Sequence, residues 1–310
     1  MSCLSGIKNI ISIKDFTRDQ IVEILKLSAK MEDVRNDSLK SKCLATLFFE
    51  PSTRTRLSFE ASMMQLGGST LGFADAMVSS AKKGETLHDS IKVITQYVDI
   101  IVIRHNLEGA ARVAAEASTV PVINGGDGAN QHPTQTFIDL YTISKTHPQL
   151  LEGKKLTVAL MGDLRYGRTV HSLLIALSFF NVEFKFISPP SLQLADTYQD
   201  FLNDKNIPFS MSDSLNEDIN EIDVLYVTRI QEERFPDPVE FMRVRGSYKI
   251  TAELLSDVRA GFKILHPLPR VFEIDRSVDQ LEATAFFEQA GNGIPVRKAL
   301  LHLLLNNHEF

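Results

Sequence analysis

The chain has 310 residues, which at about 150 residues per domain suggests two domains. Apolar residues make up 44% and charged residues 23%, a balance that supports real hydrophobic cores. A net charge of −6 excludes the broad basic footprint of a nucleic-acid binder, so any local basic cluster needs a local partner.

In chain order, Leu44–Phe49 reads as a buried strand. Thr53–Leu66 reads as a helix with Leu57, Ala61 and Met64 on its core face, stopped by Gly67-Gly68. Asp99–Ile103 is another apolar strand, followed by a helix near Leu107–Ala117 and a strand at Val120–Ile123. Pro133 suits the first turn of a helix whose stripe is Phe137, Leu140 and Tyr141. After a polar turn at Leu151–Lys154 a second α/β unit begins with the strand Leu156–Met161. Leu173, Leu174 and Leu177 face the core from the helix that follows. Further strands fit Phe184–Ile187, Val224–Thr228 and Phe262–Leu265. A last helix after Pro295 carries Val296, Ala299, Leu300, Leu303 and Leu304 and is expected to pack back on the first domain. Apolar runs alternating with helical periods predict an α/β protein with two domains, each a mainly parallel sheet flanked by helices.

Cys3 and Cys43 read as free thiols of a reducing compartment. No cluster of Cys, His and acidic residues has metal-site spacing, and no cofactor is expected. The N-terminus lacks the pattern of a signal peptide, and the runs Leu173–Phe180 and Leu300–Leu305 are too short to cross a bilayer. These features predict a cytoplasmic protein with no nucleic-acid or membrane partner.

The most informative segment is Phe48-Phe49-Glu50-Pro51-Ser52-Thr53-Arg54-Thr55-Arg56-Leu57-Ser58-Phe59-Glu60. A buried strand ends and Ser52 is placed to cap the following helix. First turns favour acids because the helix N-terminus is partly positive. This one carries Arg54 and Arg56 with three hydroxyls and no acid between Pro51 and Ser58. A bound anion turns that penalty into affinity. Phosphate fits, because amides, hydroxyls and a guanidinium fork can converge on it. The alternative is a Ser-capped helix with solvated arginines.

This segment resembles the carbamoyl-phosphate signature of the aspartate/ornithine carbamoyltransferase family. Further family motifs follow in order along nearly the whole chain: Ser79-Ser80-Ala81-Lys82-Lys83-Gly84-Glu85-Thr86, Ile103-Arg104-His105, Gly126-Asp127-Gly128, His132-Pro133-Thr134-Gln135, Gly162-Asp163-Leu164-Arg165-Tyr166-Gly167-Arg168, Thr228-Arg229-Ile230-Gln231 and His266-Pro267-Leu268-Pro269-Arg270. The resemblance implies carbamoyl transfer from carbamoyl phosphate to an amine, with the active site between two domains. It assigns 1–132 plus 292–310 to carbamoyl phosphate, 133–150 to a linking helix and 151–291 to the amine substrate.

Carried over residue by residue, the resemblance makes Ser52, Thr53, Arg54, Thr55, Ser79, Arg104, His132 and Gln135 ligands of carbamoyl phosphate. Thr55, Arg104 and His132 would form an oxyanion hole. Alone, Arg104 reads equally as a loop arginine at a strand end, and a lone His like His132 is more often structural. Ser79 and Lys83 alone read as a solvated basic loop tip. The resemblance implies a homotrimer in which this loop enters the neighbouring subunit's site, with regulatory chains a possible further partner. The glycines at Gly162 and Gly167 lack the Gly-x-Gly-x-x-Gly spacing of a dinucleotide fold, so an oxidoreductase is rejected. Arg168, Arg229 and Gln231, with Lys83, suit a dicarboxylate. Pro267 and Leu268 match positions whose backbone carbonyls hold the amine and carbamoyl nitrogens.

Ornithine enzymes of this family generally carry a cysteine in a His-Cys-Leu-Pro segment, whereas this chain has His266-Pro267-Leu268-Pro269. Arginines facing the substrate would also repel a diamine. The expected acceptor is therefore L-aspartate, in pyrimidine biosynthesis. An amine-specific relative and a catalytically dead scaffold are the alternatives. The presence of Arg54, Lys83, Arg104 and His132 argues against the second.

Overall fold

The computed structural model describes residues 3–75, 84–215, 219–230, 239, 241–242 and 248–306. The chain divides into two compact units, Met1–Tyr141 with Gly291–Phe310, and Thr142–Ala290.

The first unit holds a four-stranded parallel sheet in the order β2-β1-β3-β4. Its strands are β1 (Cys43–Phe48), β2 (Ser69–Phe73), β3 (Ile100–His105) and β4 (Val122–Asp127). Around it lie α1 (Arg18–Lys30), α2 (Thr53–Gln65), α3 (Leu87–Ile94), α4 (Ala110–Ala117) and α5 (Pro133–Thr146). β1 and β3 are buried along nearly their whole length, as their unbroken apolar runs require in a sheet covered on both faces. β2 has no such run. It is an exposed edge strand, and the sequence pattern gives no sign of it.

Two expectations are corrected in α2. Its buried face is Thr55, Phe59, Ser62 and Met63, not Leu57, Ala61 and Met64. Leu57 and Met64 stand 57% and 60% exposed, so the helix carries a second apolar stripe facing outward. Ser52 occupies the N-cap position, yet its side chain makes no capping bond. In α4 the start moves from Leu107 to Ala110, behind Gly109 at φ 78°. β4 runs on through Asn124 to Asp127. Those two polar residues are buried because each satisfies the other: Asn124 Nδ2 donates to Asp127 Oδ1 at 2.8 Å.

The second unit holds a five-stranded parallel sheet in the order β7-β6-β5-β8-β9. Its strands are β5 (Leu156–Met161), β6 (Val182–Ile187), β7 (Phe209–Ser212), β8 (Val224–Val227) and β9 (Lys263–Leu265). The helices α6 (Arg168–Leu177), α7 (Asp196–Asp204) and α8 (Phe286–Gly291) accompany it. Leu173, Leu174 and Leu177 are fully buried, as their spacing predicts. α9 (Gly293–Leu305) then returns to the first unit and packs on α1 and α2. Ser62 donates to its Ile294 carbonyl at 3.2 Å, and Lys298 donates to the Val34 carbonyl at 2.6 Å.

Both sheets have a point where the strand order reverses, between β1 and β3 in one and between β5 and β8 in the other. In open α/β sheets the crevice beyond the carboxyl ends at such a point is where ligands bind.

Candidate active site

At the first reversal, β1 and β3 pair in register with Phe48 opposite Arg104. The chain leaving β1 runs through Glu50 to Ser52 and enters α2 beside the end of β3. Two elements thereby bring a helix N-terminus and a buried arginine to one edge. The first turn of α2 contains no acidic residue and no side-chain cap, so its amides keep their donor capacity.

Arg54 lies in that turn. Burial, and then the positive charge of Arg104, hold its guanidinium below the usual arginine range. An arginine in an acid-free first turn with a second arginine beside it is an arrangement that can hold an anion. Arg56 does not join them: its Nε donates to Glu60 Oε1 at 2.7 Å. Thr55 is buried beneath the turn at 5% exposure.

Arg104 is 9% exposed. Its Nη2 donates to Glu50 Oε1 at 2.9 Å and its Nη1 to the Gly125 carbonyl at 3.3 Å. Its buried Nε has no hydrogen-bond partner among the described residues. Glu50 thus holds the arginine in place, a role the sequence reading missed although the acid sits just ahead of the basic run.

The loop after β4 presents His132 and Gln135. Asp127, 1% exposed, is its hub and accepts from the amides of Gly109 and Gln131 at 2.9 and 3.1 Å. His132 is buried at 5%, with the Thr134 hydroxyl 3.4 Å from its Nδ1. One turn into α5, Gln135 Nε2 donates to Asp139 Oδ1 at 2.7 Å. That bond fixes the amide so that its Oε1 is the end available to accept.

At the second reversal, the loops after β5 and β8 touch. A Cβ on Gly162 (φ 115°) would lie 2.4 Å from the Thr228 carbonyl oxygen, so only glycine allows the approach. The Asp163 amide donates to Thr228 Oγ1 at 3.1 Å. Arg168 begins α6 behind Gly167, in another first turn with no acid and no side-chain cap. Arg229 follows Thr228 directly. Both arginines are therefore carried by the pair of loops at this sheet's reversal point, half-buried.

Beyond β9 the segment 266–273 is held by a buried pair. His266 Nε2 donates to Glu273 Oε1 at 2.8 Å, with both side chains 1% exposed. His266 Nδ1 accepts from the Leu268 amide at 2.8 Å. A carboxylate can only accept and an amide N–H can only donate, so the tautomer is settled. Glu273 Oε2 accepts from the amides of Val271 and Phe272. Burial works to raise the Glu273 carboxyl, but these bonds outweigh it and hold it below the usual carboxylate range. Leu268 sits at φ 55°, a left-handed conformation costly for a branched side chain, ahead of a cis bond to Pro269. Glu273 carries no signal in the sequence reading.

The sequence-predicted residues therefore fall in three groups. Ser52, Thr53, Arg54, Thr55, Arg104, His132 and Gln135 all belong to the first unit, at the ends of its strands and the starts of its helices. Arg168, Arg229, Pro267 and Leu268 belong to the second. Ser79, Lys83 and Gln231 lie outside the described residues. Cys3 and Cys43 are free thiols, as expected. Among the described residues no cluster could hold a metal ion, and no helix is long and apolar enough to cross a membrane.

Comparison with known proteins gives the same outline. Residues 8–145 match the family model described as aspartate/ornithine carbamoyltransferase, carbamoyl-P binding domain. Residues 154–304 match aspartate/ornithine carbamoyltransferase, Asp/Orn binding domain. The aspartate carbamoyltransferase catalytic subunit of Chromobacterium violaceum is 53% identical over 300 residues, covering 96% of this chain and 98% of that protein. The solved catalytic subunit of Methanocaldococcus jannaschii aspartate transcarbamoylase aligns with a TM-score of 0.91 at 51% identity, over 97% of this chain and 99% of that one. Aspartate transcarbamoylase from Trypanosoma cruzi, solved with carbamoyl phosphate and aspartate, aligns with a TM-score of 0.90 at 32% identity, over 98% and 97%. With both units matched in order and relatives at half identity over nearly the full length, the chain belongs to the aspartate/ornithine carbamoyltransferase family.

Proposed function

We infer that this chain transfers the carbamoyl group of carbamoyl phosphate to the amino group of L-aspartate, giving N-carbamoyl-L-aspartate and phosphate for pyrimidine biosynthesis. The observation that carries the reading is the edge shared by β1 and β3. There an acid-free, uncapped helix N-terminus meets Arg54 and Arg104. Such a place suits an acyl phosphate, and the matched relatives are aspartate enzymes.

In this reading the segment 1–132 with 292–310 binds carbamoyl phosphate, 133–150 joins the halves, and 151–291 binds aspartate. Ser52, Thr53, Arg54 and Thr55 take the phosphate through backbone amides, hydroxyls and the guanidinium. Thr55, Arg104 and His132 donate to the carbamoyl oxygen, where negative charge grows in the tetrahedral intermediate. His132 needs no proton transfer for this. A neutral imidazole accepting from Thr134 carries its proton on Nε2, a donor. Gln135, turned by Asp139, accepts from the carbamoyl amide. Arg168, Arg229 and Gln231 pair with the two carboxylates of aspartate.

The uncharged amine attacks the carbamoyl carbon. The C–O bond to phosphate breaks as the new C–N bond forms, and the proton shed by the nitrogen goes to the leaving phosphate. The backbone carbonyls of Pro267 and Leu268 accept from the amine and carbamoyl nitrogens, which aims the lone pair. The His266–Glu273 pair keeps those carbonyls in place. Positioning two anions together and stabilising developing charge account for the catalysis.

The working assembly is a homotrimer in the cytoplasm, with Ser79 and Lys83 supplied from the neighbouring subunit. The outward stripe of Leu57 and Met64 on α2 supports an interface at the helix that begins the site. The free thiols suit a reducing compartment.

Offering aspartate and ornithine in parallel, with carbamoyl phosphate, tests the function. Carbamoyl-aspartate is expected, with no citrulline. Purified protein that forms no carbamoyl-aspartate rejects the reading.

A further inference from the structure

Arg297 is a buried cation that the roles above leave unused. It lies in α9 and is 3% exposed. Its guanidinium carbon stands 4.9 Å from the centre of the Phe59 ring on α2. On its other side, Nη1 is 2.3 Å from where a Cβ on Gly293 would be, a point that Ile138 Cδ1 of α5 approaches to 3.5 Å. The glycine thus leaves the space that the guanidinium fills. No carboxylate pairs with it, and its Nε has no hydrogen-bond partner among the described residues. Burial alone pulls it down to about 9.

An uncompensated charge in a protein interior carries a large desolvation penalty, and one aromatic face offsets only part of it. Its neighbour Lys298 is also buried, but Lys298 donates to the carbonyls of Val34 and Glu32. Among the described residues Arg297 has no such outlet. What distinguishes its position is the pair of helices it lies between. Thr55 is one turn ahead of Phe59 on α2, and Gln135 is one turn ahead of Ile138 on α5. The cation therefore sits one helical turn behind two residues assigned to carbamoyl phosphate.

We propose that Arg297 is a positioning residue for the phosphate-bearing substrate: a buried charge beneath the floor formed by α2 and α5 that raises anion affinity without touching the anion. The inference rests on the function proposed above. One turn of helix and a side chain put the separation at roughly 10 Å. At that range, with an effective dielectric near 20, a unit charge changes anion affinity by about tenfold.

The test compares the parent with Arg297→Met and Arg297→Lys. Steady-state kinetics, calorimetric binding of inorganic phosphate and thermal melting are read for each. In Arg297→Met the KM for carbamoyl phosphate and the dissociation constant of phosphate are expected to rise about tenfold. The kcat and the KM for aspartate should stay within about twofold. Arg297→Lys should recover most of the affinity. The Met variant should melt no lower than the parent, because an unpaired buried charge has been replaced by an apolar chain of similar length. Unchanged carbamoyl phosphate and phosphate affinity overturns the proposal. So does a Met variant that melts well below the parent or fails to fold, since Arg297 would then be a packing residue. A parent that binds phosphate, weakens as expected in Arg297→Met, and still makes no carbamoyl-aspartate rejects the activity while upholding this inference.

Discussion

Arg104 faces two demands. Glu50 and the Gly125 carbonyl hold it in place, and in the proposed function the incoming substrate shares its guanidinium with that carboxylate. Replacing it with methionine removes the donor proposed for the carbamoyl oxygen and leaves Glu50 without that partner. Arg104→Met is expected to lower kcat/KM for carbamoyl phosphate at least about a hundredfold, by the usual worth of one oxyanion donor. Initial-rate kinetics on folded variant would check it. His147 makes a different prediction. It is 4% exposed, with the Thr146 hydroxyl 2.9 Å from its Nδ1. Burial first, then the charges of Arg259 and Lys263, push it down to about 4, against a backbone bond at Gly261 that works to raise it. The folded chain keeps it neutral while the unfolded chain protonates it near its ordinary 6.5. Its contribution is therefore complete above pH 6.5 and drains away as pH falls toward 4. The gap corresponds to about 3 kcal/mol. Urea melts between pH 7 and 4 should show the loss, and His147→Gln should flatten that part of the profile.

Among the elements, the 266–273 segment shows how a backbone is aimed from beneath. His266 accepts from the Leu268 amide at Nδ1 and donates its Nε2–H to Glu273, which accepts from two further amides. Glu273→Gln puts an amide where a carboxylate accepts three donors. We expect kcat/KM to fall by one to two orders of magnitude with the circular dichroism unchanged, since a shift of about 1 Å near reacting atoms has that effect. An unaltered rate would show that Leu268 does not need this support. Sequence reading reached some elements and not others for the same physical reason. β1, β3 and β5 are buried on both faces and announce themselves as apolar runs. β2 is an exposed edge in which Leu71 and Phe73 alternate with small and polar residues over only five positions, and it does not. α2 has apolar residues on two faces, so periodicity alone chose the outward one. Arg54 and Arg168 of the proposed site stand out in the sequence because each falls in a helix first turn that lacks an acid. Glu50, Asp139 and Glu273 do not, because an acid that orients another side chain has no fixed spacing from it.

For the whole molecule, the proposed trimer makes a prediction about mixtures. An Arg54→Ala chain lacks a phosphate ligand of its own site, and a Lys83→Ala chain lacks the group lent to a neighbour. Each homogeneous protein should be nearly inactive. Dissociating and reassembling them together should restore some activity in hybrid trimers that contain one intact site. Mass in solution confirms the hybrids, and inactivity of verified hybrids would show that sites are not shared. The return of α9 has a consequence of another kind. The first unit is built from two separate segments, Met1–Tyr141 and Gly291–Phe310, and the second is inserted between them. A ribosome therefore releases everything needed for the second unit before it delivers Gly293–Leu305. Until that late helix emerges, α1 and α2 expose the surface it will cover, so the first unit completes its packing only after the whole second unit has been made.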